Sequence, residues 1–169
     1  MTMNRKRYVS AQLAMFVSLA LTATAPLSAA GNFLYVDTTA AMSNNSIPPI
    51  PVGGLTLTLP AAAAAYNTAV VTLNMPNLYL NQPTGKSTPM SATISIIAPF
   101  SPQGIVQAIG GIGCDTAGIN SSARKPMTIV LKVPLGAAGQ AVMAEWATNG
   151  FSTVNTDTFA SMSAILVKE

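Results

Sequence analysis

The strongest constraint on this sequence is a period-two alternation of apolar and small polar residues. In "GGLTLTLP", Leu55, Leu57 and Leu59 alternate with threonines, and a proline ends the run. Successive side chains of a β-strand point to opposite faces. The alternation is therefore that of a strand with one face buried in a core and the other exposed.

Further runs repeat this pattern in "TAVVTLNM", "MSATISIIAPF" and "KPMTIVLKVPLG", and the last run, "FASMSAILVKE", is rich in β-branched and apolar residues. Proline and glycine separate the runs at short intervals, which is typical of a sandwich or a barrel. We therefore predict an all-β, single-domain antiparallel β-sandwich. The residues expected on the apolar faces of the three alternating runs are Ala69, Val71, Leu73, Met75, Met90, Ala92, Ile94, Ile96, Met127, Ile129, Leu131 and Val133.

The stretch "GQAVMAEWATNG", residues 139–150, has two interpretations. Its alanines, methionine and glutamate are good helix formers, but Asn-Gly between two runs is a strong signal for a β-hairpin with a type I′ turn. A strand would place Trp146 on the inward face and Glu145 on the outward face. We predict the strand, with a hairpin turn at Asn149–Gly150 that leads into "FSTVNT".

Residues 1–30 have the three parts of a secretory signal peptide: a basic cluster, an apolar run, and small residues before a cleavage site after Ala30. The apolar run is too short and too polar for a membrane anchor, which needs about 20 apolar residues. We expect a secreted or periplasmic protein without a stable membrane span after cleavage. Residues 31–54, rich in proline, asparagine and glycine, are predicted as an extended N-terminal segment, and residues 55–169 as the sandwich domain.

The charge balance restricts the partners of this protein. The chain has eight lysines and arginines, five aspartates and glutamates and no histidine. Three of the cations, Arg5, Lys6 and Arg7, belong to the predicted signal peptide, so the remaining five positive and five negative charges cancel. A neutral domain lacks the basic surface that nucleic-acid binding requires. So few charges also suggest that part of the surface is buried against another subunit.

Residues with reactive chemistry are scarce. Without histidine the chain lacks the usual general base and the commonest metal ligand. Cys114, in "AIGGIGCDTAG", is interpreted as a small apolar residue at the end of a strand, and the glycines before it as loop or bulge positions. The spacing of the acidic residues predicts neither a paired-carboxylate site nor a calcium site. We therefore predict no catalytic residue, no metal site and no cofactor. The acidic residues considered are Asp37, Asp115, Glu145, Asp157 and Glu169.

Two stretches, residues 66–80 ("YNTAVVTLNMPNLYL") and residues 124–169, resemble strands of bacterial secreted modules similar to the C1q/TNF-like jelly roll. The resemblance implies a jelly roll of eight or ten strands that assembles as a compact trimer. Such modules act in recognition, adhesion or assembly and are not generally enzymes. The present chain has few aromatic residues, four tyrosines and five phenylalanines, and no collagen-like stretch precedes the domain.

The sequence favours a secreted, non-enzymatic jelly-roll module that self-associates as a trimer and binds a glycan or a surface protein. One alternative is a fimbrial or surface-fibre subunit, in which the segment after Ala30 would be donated to a neighbouring subunit as a strand. A second alternative is a glycan-active enzyme with a minimal carboxylate site.

Overall fold

The computed structural model describes residues 32–38, 40–81, 89–114, 122–156 and 159–169. Within these ranges the chain forms β-strands and no α-helix, so no helix of the described residues could cross a membrane. The predicted signal peptide, residues 1–30, lies outside the described residues. The strands are β1 (Phe33–Asp37), β2 (Met42–Asn44), β3 (Ile50–Leu59), β4 (Thr68–Met75), β5 (Leu78–Asn81), β6 (Met90–Ser101), β7 (Gly104–Cys114), β8 (Ser122–Arg124), β9 (Met127–Pro134), β10 (Gln140–Thr148), β11 (Thr153–Thr156) and β12 (Ser161–Val167).

The strands form two layers around one core. One layer has the order β3-β10-β6-β7. We call it the opposite sheet, because it lies across the core from the layer described next. The other layer consists of two four-stranded sheets with matching orders, β1-β12-β4-β9 and β2-β11-β5-β8. Each strand of the first is joined to its counterpart in the second by a break of only a few residues, so we call this layer the kinked sheet. All pairings are antiparallel, and the arrangement is a jelly-roll β-sandwich, as predicted.

The kink has identifiable causes along the strands. Pro76 and Pro126 lie in the breaks between β4 and β5 and between β8 and β9, where they cannot donate a ladder hydrogen bond. Backbone hydrogen bonds still cross the kink: the Lys125 amide donates to the Leu78 carbonyl at 3.0 Å, and the Thr38 amide donates to the Ala160 carbonyl at 2.8 Å. The two halves therefore stay in register while the sheet bends.

The predicted apolar faces of the runs are confirmed. The alternating residues of β3, β4, β6 and β9 are buried in one continuous core, and Leu55, Leu57 and Leu59 are 0% exposed. Most polar residues between them are exposed or half-buried on the outward faces, whereas Ser95 of β6 is buried. Period-two patterning therefore determined which face of each of these strands is covered.

The N-terminal segment differs from its prediction. Residues 33–37 and 42–44 are β1 and β2, which pair with β12 and β11 of the same chain. The predicted boundary between residues 54 and 55 falls inside β3, beside a bulge at which Gly54 has a φ of +80°. This segment is thus part of the sandwich and not a free donor strand, because its backbone already pairs with strands β12 and β11 of the same chain.

For residues 139–150, the predicted strand is confirmed and the predicted hairpin is not. Residues 140–148 form strand β10, and Trp146 is buried with 3% exposure. The hairpin prediction is wrong, because β10 pairs with β3 and β6, whereas β11 pairs with β2 and β5 in the other layer. A type I′ turn needs positive φ at both central residues. Gly150 has a φ of +80°, but Asn149 is not in the positive-φ region.

Asn149 instead holds a corner where the chain changes sheets. Its side-chain amide donates to the Pro89 carbonyl at 2.8 Å, and its side-chain oxygen accepts from the Phe151 amide at 3.2 Å. A Cβ on Gly150 would lie 3.0 Å from the side chain of Ile47, so the corner is also tightly packed. Local turn signals did not reveal this, because the contacts come from segments far apart in the sequence.

The glycine-rich stretch before Cys114 also differs from its prediction. It is strand, not loop: β7 runs from Gly104 to Cys114, it pairs with β6 without a register shift from Val106 to Cys114, and Cys114 ends the strand as expected. A Cβ on Gly110 would lie 2.8 Å from Sδ of Met127 and 3.1 Å from Cδ1 of Ile129. The glycine therefore allows β7, at the edge of the opposite sheet, to close onto β9 at the edge of the kinked sheet.

Candidate functional site

Polar side chains gather on the outward face of the kinked sheet, on both sides of the kink. Strand register places one transverse row on β2, β11, β5 and β8, made of Ser43, Asn155, Tyr79 and Arg124. A second row lies on β1, β12, β4 and β9, made of Asp37, Ser161, Asn74 and Thr128. We call these eight residues the polar band. Neighbouring strands are about 4.8 Å apart, so each row spans about 14 Å.

Arg124 and Tyr79 stack on each other at one end of the band. They are directly opposite each other on β8 and β5, and Cζ of Arg124 lies 4.6 Å from the centroid of the Tyr79 ring. A guanidinium stacked on an aromatic ring is attracted by the ring's quadrupole and restricted in orientation. Its fork of N–H donors is thereby held in place at an exposed position.

Hydrogen bonds orient the two amides of the band. The side-chain nitrogen of Asn155 donates to the Thr153 carbonyl at 3.1 Å, which leaves its oxygen as an acceptor. Thr128 donates its hydroxyl hydrogen to the side-chain oxygen of Asn74 at 3.2 Å, which leaves the Asn74 nitrogen as a donor. These two amides therefore present an acceptor in one row and a donor in the other.

Beyond the band, the outward face of the same sheet becomes apolar. Tyr35 and Phe33 are each 43% exposed, with ring centroids 6.4 Å apart. Ile165 and Val130 are more than half exposed. The register places Phe33, Ile165 and Val70 in one row that ends at Lys132, and Tyr35 and Val130 at the two ends of the next row, with Ser163 and Thr72 between them. We call Phe33, Tyr35, Val70, Val130 and Ile165 the apolar patch. Exposed apolar surface of this kind marks a protein-interaction site.

Comparison with known proteins adds the family. The family model of the Bc2l-C N-terminal domain matches residues 33–165. The chain belongs to this family. Its members are lectin-like β-sandwich domains, which agrees with the observed fold. No curated protein matches the chain. The matched range starts at β1 and ends within β12, so it includes residues 33–54 of the segment that the sequence had set apart as residues 31–54.

The residues singled out from the sequence do not form the polar band. Trp146, Leu131 and Val133 are buried in the core of this Bc2l-C-type domain, whereas Asn149 and Gly150 lie at the corner between sheets. Their contribution is structural: they hold the two layers in place.

The acidic residues are dispersed among the described parts of the chain. Asp37 lies in the polar band, Glu145 lies on the opposite sheet, and Glu169 pairs with Lys132 near the C-terminus. Asp115 and Asp157 lie outside the described residues. Across residues 32–169, with the gaps stated above, no group of three His, Cys, Asp or Glu side chains is placed to hold a metal ion.

Sequence reasoning missed Tyr79, Arg124, Asn155 and Asn74. Their positions in the sequence are far apart, and only the pairing of β11 with β5 and of β5 with β8 brings three of them together. A usable signal was present, because each is a planar polar or aromatic residue at an outward position of a strand. Such positions become a site only when the strand order is known.

Proposed function

We propose that this protein is a secreted, self-associating lectin that binds glycans at the polar band and does not catalyse a reaction. The observation that carries the proposal is the row in which Arg124, stacked on Tyr79, is followed across the sheet by Asn155 and Ser43. Membership of a lectin-like family supports the same conclusion. The export of the protein rests on the predicted signal peptide at residues 1–30.

The chemistry of the band suits a sugar. A sugar presents hydroxyl groups that both donate and accept hydrogen bonds, and neighbouring hydroxyls match the fork of a guanidinium or the two ends of an amide. The band supplies the guanidinium of Arg124, the amides of Asn74 and Asn155, and several hydroxyl groups. A row about 14 Å long accommodates more than one sugar ring.

Self-association as a C1q/TNF-like trimer is proposed for the apolar patch. Ile165 and Val130 are 52% and 55% exposed, and burying such side chains contributes about 25 cal/mol per Å² of apolar surface. The patch adjoins the polar band on the same sheet, so assembly through it would place bands of neighbouring copies close together. Several weak sites held close together bind a glycan surface more tightly than one site does.

The absence of catalysis is supported by the placement of the carboxylates. A glycosidase uses two carboxylates that flank one bond, typically less than about 10 Å apart. Asp37 and Glu145 lie on outward faces of different layers and cannot face one substrate. This geometry disfavours the minimal-carboxylate enzyme, for the carboxylates that the structure describes.

Glycan binding can be tested with a glycan array, followed by calorimetric titration of the glycans that bind. We expect Arg124→Ala to weaken binding at least tenfold. Arg124→Lys should recover little, because a lysine lacks the planar fork. Lys168→Ala is the matched control, since it removes an exposed cation outside the band. Equal loss in the control, or wild-type affinity in Arg124→Ala, would contradict the proposed site.

Assembly can be tested by size-exclusion chromatography with light scattering. We expect a trimer for the purified protein and a shift towards monomer for Ile165→Asp, because the variant buries a charge in an apolar interface. Phe100→Asp is the control, since Phe100 is 78% exposed at the hairpin of the opposite sheet, away from the patch. A monomeric wild-type protein would refute self-association and leave the glycan test standing.

A further inference from the structure

The opposite sheet carries a cleft on its outward face, away from the polar band. The cleft is open on one side, has a volume of about 120 Å³ and lies across β10, β6 and β7, with Pro49 at its border. Glu145 and Ser95 are directly opposite each other on β10 and β6, and Ser95 is directly opposite Ile109 on β7. Strand register therefore aligns a carboxylate, a hydroxyl and an aliphatic side chain in one row across the cleft.

Glu145 is electrically isolated. In β3, β6, β7 and β10, whose bounds are given above, it is the only charged residue. Its side chain is half-buried and forms no ion pair or hydrogen bond with the described residues. A partly desolvated carboxylate without a counter-charge attracts a cation more strongly than a solvated surface glutamate does.

Ser95 presents a hydroxyl group to the cleft. Only 7% of the residue is exposed, it lines the cleft, and its hydroxyl forms no hydrogen bond with the described residues. The hydroxyl oxygen is not one of the fully buried, unpartnered side-chain oxygens of the described residues, so it is open to a ligand in the cleft. Thr93 and Gln107 line the same cleft and add a hydroxyl and an amide oxygen. The cleft is thus lined by one carboxylate, two hydroxyl groups and one amide, all of which can accept a hydrogen bond from a ligand.

We propose that this cleft binds the primary ammonium group of a small organic ligand. An ammonium group has three donors and a single positive charge, which match the carboxylate of Glu145 and the neighbouring hydroxyl and amide oxygens. Pro49 and Ile109 form apolar walls that contact the carbon skeleton next to the nitrogen. The site is independent of the polar band, because the two lie on outward faces of different layers.

The ammonium group could be carried by an amino sugar or by a simple amine, and the probes distinguish these sources. Glucosamine and 1-aminopropane carry the group, whereas N-acetylglucosamine and 1-propanol are their uncharged counterparts. Each would be titrated into the protein at constant ionic strength while backbone amide chemical shifts are followed by NMR. We expect shifts at Ser95, Ile109 and Glu145 with the charged probes only. Binding of glucosamine alone, or of 1-aminopropane alone, would identify the source and support the proposal.

Glu145→Gln keeps the shape of the side chain and removes its charge, so we expect it to weaken ammonium binding about tenfold. Glu169→Gln is the control carboxylate and should bind like the wild type. Arg124→Ala should also keep ammonium binding, which separates this site from the proposed glycan site. Equal binding of the uncharged probes, no binding of either amine, or unchanged affinity in Glu145→Gln would each overturn the proposal.

Discussion

The outward faces of the two layers have the same alternation but different chemistry. The kinked sheet carries Asp37, Arg124 and Lys132 on its outward face, together with the planar amides of the polar band. The strands of the opposite sheet carry one charge, Glu145, among serines, threonines and exposed isoleucines. Folding requires only that the inward positions be apolar, so the outward positions were free to differ. The two outward faces can therefore present different chemistry on the same fold.

The edges of the two layers differ as well. Sheet edges in natural proteins are protected by charges, prolines or bulges. The edge strand β9 of the kinked sheet contains Lys132 and Pro134, whereas β7 of the opposite sheet contains neither charge nor proline. The close approach of β7 to β9 at Gly110 shields part of this unprotected edge.

The largest expected effect on the free energy of unfolding is in the core, to which both layers contribute apolar side chains. Trp146→Ala should lower the free energy of unfolding by about 3–5 kcal/mol, because it leaves a cavity in close-packed surroundings. The measurement is urea denaturation followed by circular dichroism. Met143→Ala, at an outward position of the same strand, should cost about 1 kcal/mol or less. Similar costs for both variants would mean that the inward and outward faces of β10 have been assigned incorrectly.

A smaller effect is expected where the edges of the layers meet. Gly110→Val should lower the free energy of unfolding by about 1–3 kcal/mol, because the new side chain overlaps Met127 and Ile129. Gly111→Ala is the control: its Cβ would lie 3.7 Å from the nearest atom, the Ala92 carbonyl oxygen, an ordinary contact. The midpoint of thermal unfolding, measured for both variants, tests the close packing of β7 on β9. A Gly110→Val protein as stable as the wild type would show that the two strands are not closely packed.

The smallest effect concerns the charges of the kinked sheet. Lys132 pairs with Glu169, but the two side chains are 67% and 49% exposed. Exposed ion pairs contribute about 0–1 kcal/mol, so Lys132→Met should change the free energy of unfolding by about 0.5 kcal/mol or less. The same denaturation experiment, repeated at high salt, measures this. A loss well above 1 kcal/mol would indicate that these outward charges hold the sheet together.

Much of the fold could be predicted from the sequence because its signals are local. Leu55, Leu57 and Leu59 were assigned to the core correctly, since period-two alternation is a property of a few consecutive residues. Strand β7 was missed because its glycines at positions 110, 111 and 113 remove the side chains that would show the alternation. The segment 33–54 was misjudged because its prolines and asparagines resemble a linker, whereas its backbone pairs with strands more than 100 residues away.

The candidate sites were less accessible to prediction. Tyr79 and Arg124 stand in one row only because β5 pairs with β8, and Glu145 faces Ser95 only because β10 pairs with β6. Nothing in the spacing of these residues along the chain encodes that order. The predicted hairpin at Asn149–Gly150 failed for the same reason, since strands β10 and β11 each found better partners elsewhere.

By itself, the sequence determined an all-β domain with one buried face on each alternating strand and a near-neutral surface outside the predicted signal peptide. The geometry of a strand and the alternation of apolar side chains are sufficient for this prediction, because both are properties of a few consecutive residues. Only the tertiary structure decided which strands are adjacent, where the sheet kinks, and which outward side chains share a surface. Strand order, the kink and the shared surfaces depend on pairing and packing between segments far apart in the sequence. Such interactions stack Arg124 on Tyr79 and place Glu145 in a cleft whose strands carry no other charge.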